Sequence, residues 1–500
     1  MKPLRRILIV GGGSSGWMTA ALFSKLFQGL YDITLVESDD IGIIGVGEAT
    51  IPAIKKYNEL LELDENDFLR RTQGTFKLGI RFENWGAKGD AYFHGFGPIG
   101  KDWDWLRCHQ YWLKAREMGR AENFDSFAIN TVAAYENKFL RAQPEMDESP
   151  LGQIGHAFHF DAGLYARYLS AFAQDRGVRR HEGKIVDVTL RGEDGFIESV
   201  TLESGEKLEA DLFIDCSGFR SLLLGGALKT PFVDWSQWLL TDSALAMPCA
   251  RSESFTPYTR SRAHGSGWQW RIPLQHRTGN GHVYSSKFIS DDAAEKILRE
   301  NLDGEALADP LQVRFTPGKR EKLWNKNCVA IGLAGGFLEP LESTALHLVQ
   351  AGIIRLIRLF PDLDFEPAPI AEFNKQTDFE FERIRDFIIL HYKATTRDDT
   401  PFWDYCRTMD VPDTLKEKID LWMSSGRVFR ENDELFGEES WIQVFIGQRM
   451  IPHNYDPQVN MRSDADLIRY LANITTTIKK CVAVMPTHAE FIEKTCAAQA

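Results

Sequence analysis

The feature that most constrains this chain is its opening segment. Ile7–Val10 is an unbroken apolar run, the pattern of a strand buried on both faces. Gly11, Gly13 and Gly16 follow in G-x-G-x-x-G register, and Trp17 to about Phe27 reads as the helix they open. A second strand, Ile33 to Val36, ends at Glu37, about twenty residues beyond the last of these glycines. Strand, glycine turn, helix, strand and terminal carboxylate together predict a dinucleotide site. The glycines let the backbone approach a pyrophosphate, and the acidic side chain takes a ribose hydroxyl. Gly11, Gly13, Ser14, Ser15, Gly16 and Glu37 are the expected contacts.

A second glycine-rich strand-to-helix passage lies between Asn327 and Phe360. Cys328–Ile331 reads as a strand, followed by Gly332, Gly335 and Gly336. Ser343 stands where an N-cap belongs, ahead of Leu346, Val349, Ile353, Leu356 and Phe360 at helical spacing, and Pro361 stops the helix. A bare helix N-terminus welcomes anions. Glu342 just before it reads either as a carboxylate favoured by the helix dipole or as a working group.

Between these passages the pattern is α/β. GVGEATIP, Gly45–Pro52, is too irregular for a strand, Asp64–Arg71 reads as a helix, and Thr75–Phe82 alternates as one strand. Lys77 sits in that strand between Phe76 and Leu78 and is expected, on physics alone, on its exposed face. His94 and Phe96 flank a glycine in YFHGFG, where a histidine is ordinarily a hydrogen-bonded scaffold residue. Residues near 100–150 read as a mostly helical insertion. A helix at 162–174 and strands in 183–215 restore the α/β order, and Ala210–Gly218 is a buried strand running into a glycine. Ser266–Leu274 places Trp268, Trp270 and Ile272 on one strand face. From about Ala371 the chain reads as helix, with Phe373, Thr377, Phe381, Ile384, Ile388 and His391 as one stripe and a break at 395–401.

Composition narrows the class. Across 500 residues, 43% hydrophobic and 26% charged content is that of a globular protein, and a net charge of −13 argues against nucleic acid and anionic membrane surfaces. The 12% aromatic share suits a pocket for a flat apolar ligand. Seven cysteines with no CxxC pair and no zinc spacing read as reduced thiols, with no metal site expected, and no apolar run reaches membrane-spanning length. A cytoplasmic location is therefore expected.

GGGSSG at Gly11–Gly16, GVGEATIP at Gly45–Pro52, WQWRIP at Trp268–Pro273 and GFLEPLEST at Gly336–Thr344 together resemble the flavin-dependent halogenases of the tryptophan-halogenase family. The resemblance covers most of the chain and weakens after about residue 430. It implies a Rossmann-like FAD-binding α/β fold of the GR2-type flavin monooxygenases, residues 1–385, with a largely helical part, 386–500, covering the substrate. It makes Lys77 the essential lysine, which reverses the exposed-face expectation, and Glu342 the active-site glutamate. Gly45–Pro52 becomes the strap between flavin and substrate, so Gly47, Glu48, Ala49, Gly332 and Gly335 join the cofactor set. Thr344 and Ala345 would hold the halide by their N–H groups. His94, Phe96, Pro52 and Ser343 would line the substrate pocket, and Trp268 and Trp270 would keep substrate from the flavin.

The implied activity is halogenation of an electron-rich aromatic such as an indole by chloride or bromide, with FADH2 and O2, through hypohalous acid guided to Lys77. A separate NAD(P)H-dependent reductase would supply FADH2, and a homodimer is left open. Glu439–Pro457, where relatives acting on free tryptophan grip its backbone, has no paired tyrosines, so free tryptophan is not the expected substrate. The alternatives are a flavin-dependent aromatic hydroxylase and a non-catalytic flavin-binding protein. Hydroxylases usually carry an Asp in the late glycine motif, and Ile331–Ala334 has none.

Overall fold

The computed structural model describes residues 3–41, 47–252 and 255–498. Gly45 and Val46 of the strap lie outside the described residues. Six described strands form the nucleotide-binding sheet, in the order Trp324–Asn325, Cys328–Ala330, Leu212–Asp215, Arg6–Val10, Asp32–Glu37 and Arg179–Glu182. All pairings are parallel except that of Trp324–Asn325 with Cys328–Ala330. The two glycine-rich passages read from sequence thus leave the carboxyl ends of strands in one sheet, where such sheets bind nucleotides. Helix Ser14–Phe27 follows the first strand directly, its face of Trp17, Met18, Leu22 and Phe23 buried.

A larger sheet runs Leu311–Arg314, Ser243–Ala250, Arg277–Tyr284, Gly267–Pro273, Thr259–Ala263, Gly79–Glu83 and Ala91–Gly95. A third, small sheet pairs Gly47–Ala49 and Thr75–Lys77 with the two edges of Ala157–Asp161. The expected single strand Thr75–Phe82 is therefore two strands in two sheets. The chain changes sheets at Leu78, whose N–H donates to the Pro257 carbonyl and whose carbonyl accepts from the Phe96 N–H. A Cβ on Gly79 would stand 2.3 Å from the His94 carbonyl oxygen, so only glycine allows this crossing. The jump corrects the first expectation for Lys77: its side chain has no exposure at all.

The segment near 100–150 contains short helices, Cys108–Glu117 and Ile129–Tyr135, joined by 3-10 turns. The long helix Pro367–Lys393 carries the stripe Phe373, Thr377, Phe381, Ile384, Ile388 and His391, all buried. Residues 385 and 386 lie inside this helix, and one apolar core joins Ile7 and Leu35 of the nucleotide-binding part to Phe387 and Leu471. Among the described residues no helix is long and apolar enough to cross a membrane.

The C-terminal helix His488–Thr495 is pinned to the lysine strand by His488. Its Nδ1 donates to the Phe255 carbonyl at 3.1 Å, and its Nε2 accepts from the Phe76 N–H at 3.1 Å. The Nε2 contact requires the neutral ring, and burial pushes its pKa down to about 4 from 6.5. The unfolded chain takes up this proton first, so the contribution is complete above 6.5 and lost as pH falls toward about 4. That loss amounts to about 3 kcal/mol. Denaturant midpoints at neutral and acid pH are expected to show His488→Asn losing correspondingly less stability on acidification than the wild type. Equal losses in both would contradict the assignment.

Candidate active site

The small sheet brings the strap and the lysine together. Gly47–Ala49 and Thr75–Lys77 flank Ala157–Asp161, and the chain leaving Ala49 passes Lys77, whose Nζ donates to the Thr50 carbonyl at 2.9 Å. A second donor bond, also 2.9 Å, reaches Ser343 Oγ, and Nζ stands 5.4 Å from the centre of the Phe96 ring. Burial pushes the Lys77 ammonium down to about 7, with the Glu342 charge acting in the opposite direction. Near neutral pH the amine is thus divided between donor and nucleophile forms.

Glu342 is 1% exposed. His94 Nδ1 lies 3.1 and 3.0 Å from its two oxygens, and His391 Nε2 lies 2.8 Å from Oε1. Burial alone would raise its carboxyl, but His94 and His391 together outweigh burial and bring it down to about 2. The glutamate is therefore ionised at neutral pH. Ser343 does not cap the following helix. It takes a left-handed backbone at φ 59°, which turns its hydroxyl toward Lys77, and Thr344 is the N-cap of Ala345–Arg358. The Thr344 side chain makes no capping bond. The anion-favouring helix mouth therefore opens two residues beyond Glu342, at Thr344 and Ala345.

The residues at the glycine loop fit a flavin dinucleotide. Gly11 has φ 112°, and a Cβ there would strike the Cys216 carbonyl. Gly13, the extended N-cap of Ser14–Phe27, has open space where its Cβ would be and leaves the helix mouth without a side-chain cap. Gly332, at φ 77°, would carry a Cβ 2.2 Å from Ser15 Oγ, so the late glycine turn closes directly on the first. Glu37 ends its strand beside Gly12 and accepts from Arg180 Nε at 2.5 Å. Gly16 would meet the Gly11 carbonyl at 1.8 Å and serves helix–loop packing. A Cβ on Gly335 would lie 2.7 Å from the Leu323 side chain. Glu48 is partly covered, and burial together with the Asp161 charge pushes its carboxyl up to about 7.

Trp268 and Trp270 stand on one face of their strand with ring centres 6.2 Å apart, both buried. Gly281 faces Trp270 across the sheet, and a Cβ there would lie 2.0 Å from the indole. Ile272, two residues on, touches the strap at Gly47. Aromatic rings gather beside the lysine and glutamate: Phe96 near Lys77, His94 against Phe387, and Phe387, which stacks on Phe436 at 3.9 Å and meets Trp441 edge-on at 5.0 Å. Pro52 is the N-cap of helix Ala53–Leu60 at the far end of the strap.

Several residues were not singled out in the sequence as site residues: Thr50, Phe387, Phe436, His391 and Glu339. Glu339 is buried, accepts from Tyr392 at 2.9 and 3.0 Å and from Thr241 at 2.7 Å, and is pushed up by burial to about 7. It ties the Glu342 loop to the long helix. A histidine closing an otherwise apolar helical stripe was the available signal for His391.

A sheet whose glycine turns fit a dinucleotide, in one fold with a buried lysine bonded beside an ionised glutamate, points to the class of flavin enzymes. Residues 6–464 match the tryptophan halogenase family model. The tryptophan 6-halogenase SttH of Streptomyces toxytricini is 36% identical over 97% of each chain. Among solved structures, a flavin-dependent halogenase from Xanthomonas campestris, Xcc4156, superposes with a TM-score of 0.97 at 46% identity over all of both chains. BrvH, a flavin-dependent halogenase from Brevundimonas sp. BAL3, does so with 0.94 at 44% over 98% of this chain and 99% of its own. The chain belongs to the tryptophan halogenase family and is a flavin-dependent halogenase, an oxidoreductase acting on an aromatic substrate.

Proposed function

We propose that the chain uses FADH2 from a separate reductase, with O2, to halogenate an indole or another electron-rich aromatic other than free tryptophan. Bound FADH2 would supply the two electrons that, with O2 and a proton, turn halide into hypohalous acid and water. Gly11, Gly13, Ser14, Ser15 and Glu37 would hold the cofactor, and the Thr344 and Ala345 N–H groups would hold the halide. Trp268 and Trp270 keep the ring of the substrate away from that end, so only the small acid passes along the strap. Lys77 receives it by hydrogen bond or, in its neutral form, as a haloamine. The ring carbon then takes the halogen, and Glu342 takes the ring proton.

The observation that carries this reading is the placing of Lys77: fully buried, shared by the strap carbonyl of Thr50 and by Ser343 next to Glu342. Two features support a substrate other than free tryptophan. Glu438–Gly447 is a helix whose Trp441 packs on Phe387 and whose Gln443 is bonded to both backbone groups of Gly95, leaving these side chains engaged in the scaffold. The Xanthomonas and Brevundimonas proteins, at higher identity, are named only as flavin-dependent halogenases, whereas SttH is named for tryptophan. Mass spectrometry of reactions with FAD, NADH, a reductase and bromide or chloride tests this. Indole is expected to exceed tryptophan in kcat/KM by at least about tenfold. Efficient tryptophan turnover would overturn the substrate assignment, and a hydroxylated product without halide would overturn the chemistry.

A further inference from the structure

His391 sits on the long helix with no exposure, and both of its ring nitrogens face acceptors. Nδ1 is 2.8 Å from the Phe387 carbonyl oxygen, which can only accept, so Nδ1 carries a proton. Nε2 is 2.8 Å from Glu342 Oε1, off the straight line of a hydrogen bond. A bare Nε2 lone pair facing a bare carboxylate oxygen at that distance would be repulsive, so a second proton must lie between them. His94 Nδ1, nearly equidistant from both Glu342 oxygens, suits a donor to a carboxylate. The second proton therefore belongs on His391.

We propose that His391 is a fixed imidazolium that holds Glu342 ionised and aimed, a positioning residue for the proton-removal step. This rests on the halogenase reading above. The surroundings keep water from the pair. Phe82, Phe387 and Trp85 surround the imidazole, with ring centres 4.9, 5.0 and 6.3 Å away. The polar groups facing the pair are His94 from its strand, Lys77 through Ser343, and the Tyr92 hydroxyl, whose partner Gln448 donates to the His391 carbonyl at 2.8 Å. The neighbouring Tyr392 is committed to Glu339. In the reaction, the ring C–H bond breaks, its electron pair restores the aromatic ring, and the proton passes to a Glu342 oxygen. His391 keeps both of its protons and so does not compete for the ring proton.

The test is nitrogen NMR of histidine-labelled full-length protein at neutral pH, which needs no substrate. One histidine is expected to show both ring nitrogens protonated. That signature should be absent in H391N, retained in H94N, and converted to a neutral ring in E342Q. Should H391N fail to fold, the H94N and E342Q spectra still decide. Halogenation by folded H391N is expected to fall on the order of 10²-fold. Spectra in which no histidine is doubly protonated, a signature lost in H94N, or undiminished H391N halogenation would overturn the proposal. If the wild type makes no halogenated product, the halogenase reading fails instead, and the spectra still judge the charge pair.

Discussion

Lys77→Ala is expected to lower aromatic halogenation on the order of 10³-fold, while oxidation of halide, read with a small diffusible halogen trap, continues. The two outcomes separate because the lysine stands at the substrate end. Its bonds go to Thr50 and Ser343, and the glycine loop that fits the cofactor is built from other elements. The alanine leaves a small buried gap without an unpaired charge, so folding should survive. The carbonyl and hydroxyl that lose their donor are a modest cost. Mass spectrometry of the aromatic product, run beside the trap assay, measures both. Halogenation that persists in Lys77→Ala would remove the lysine from the mechanism. Loss of trap oxidation as well would place it at the flavin.

Glu342→Gln is expected to cost on the order of 10²-fold in kcat, because the amide keeps the shape but cannot take the ring proton. It should also move a second observable. The glutamate's charge raises the Lys77 pKa against the larger effect of burial, which brings it down to about 7. Removing that charge lowers it further, so the limb of the pH–rate profile governed by Lys77 shifts toward lower pH. A profile unmoved in Glu342→Gln would mean that the two groups are not electrostatically coupled.

The nucleotide-binding half was legible because its signals are local. Gly11, Gly13 and Gly16 between two apolar strands leave few folds open, and the expected helix and strands appear within a few residues of their predicted ends. Trp268, Trp270 and Ile272 alternate as read, since a strand's period is set by its backbone. Lys77 was misplaced by physics alone because alternation along Thr75–Phe82 hides the change of sheet at Leu78, which depends on Pro257 and Phe96. Ser343 looked like a cap because capping is judged from sequence neighbours. Its hydroxyl instead bonds a lysine 266 positions away.

By itself, the sequence determined the flavin-type α/β fold and the tryptophan strand and, through resemblance, pointed to the lysine and glutamate. Only the tertiary structure decided their chemical state. Lys77 sits near neutrality and Glu342 far below it because burial acts on both, while two histidines offset it for the glutamate. Those histidines come from a strand at 91–95 and a helix near 391, and electrostatic fields depend on distance through space rather than along the chain.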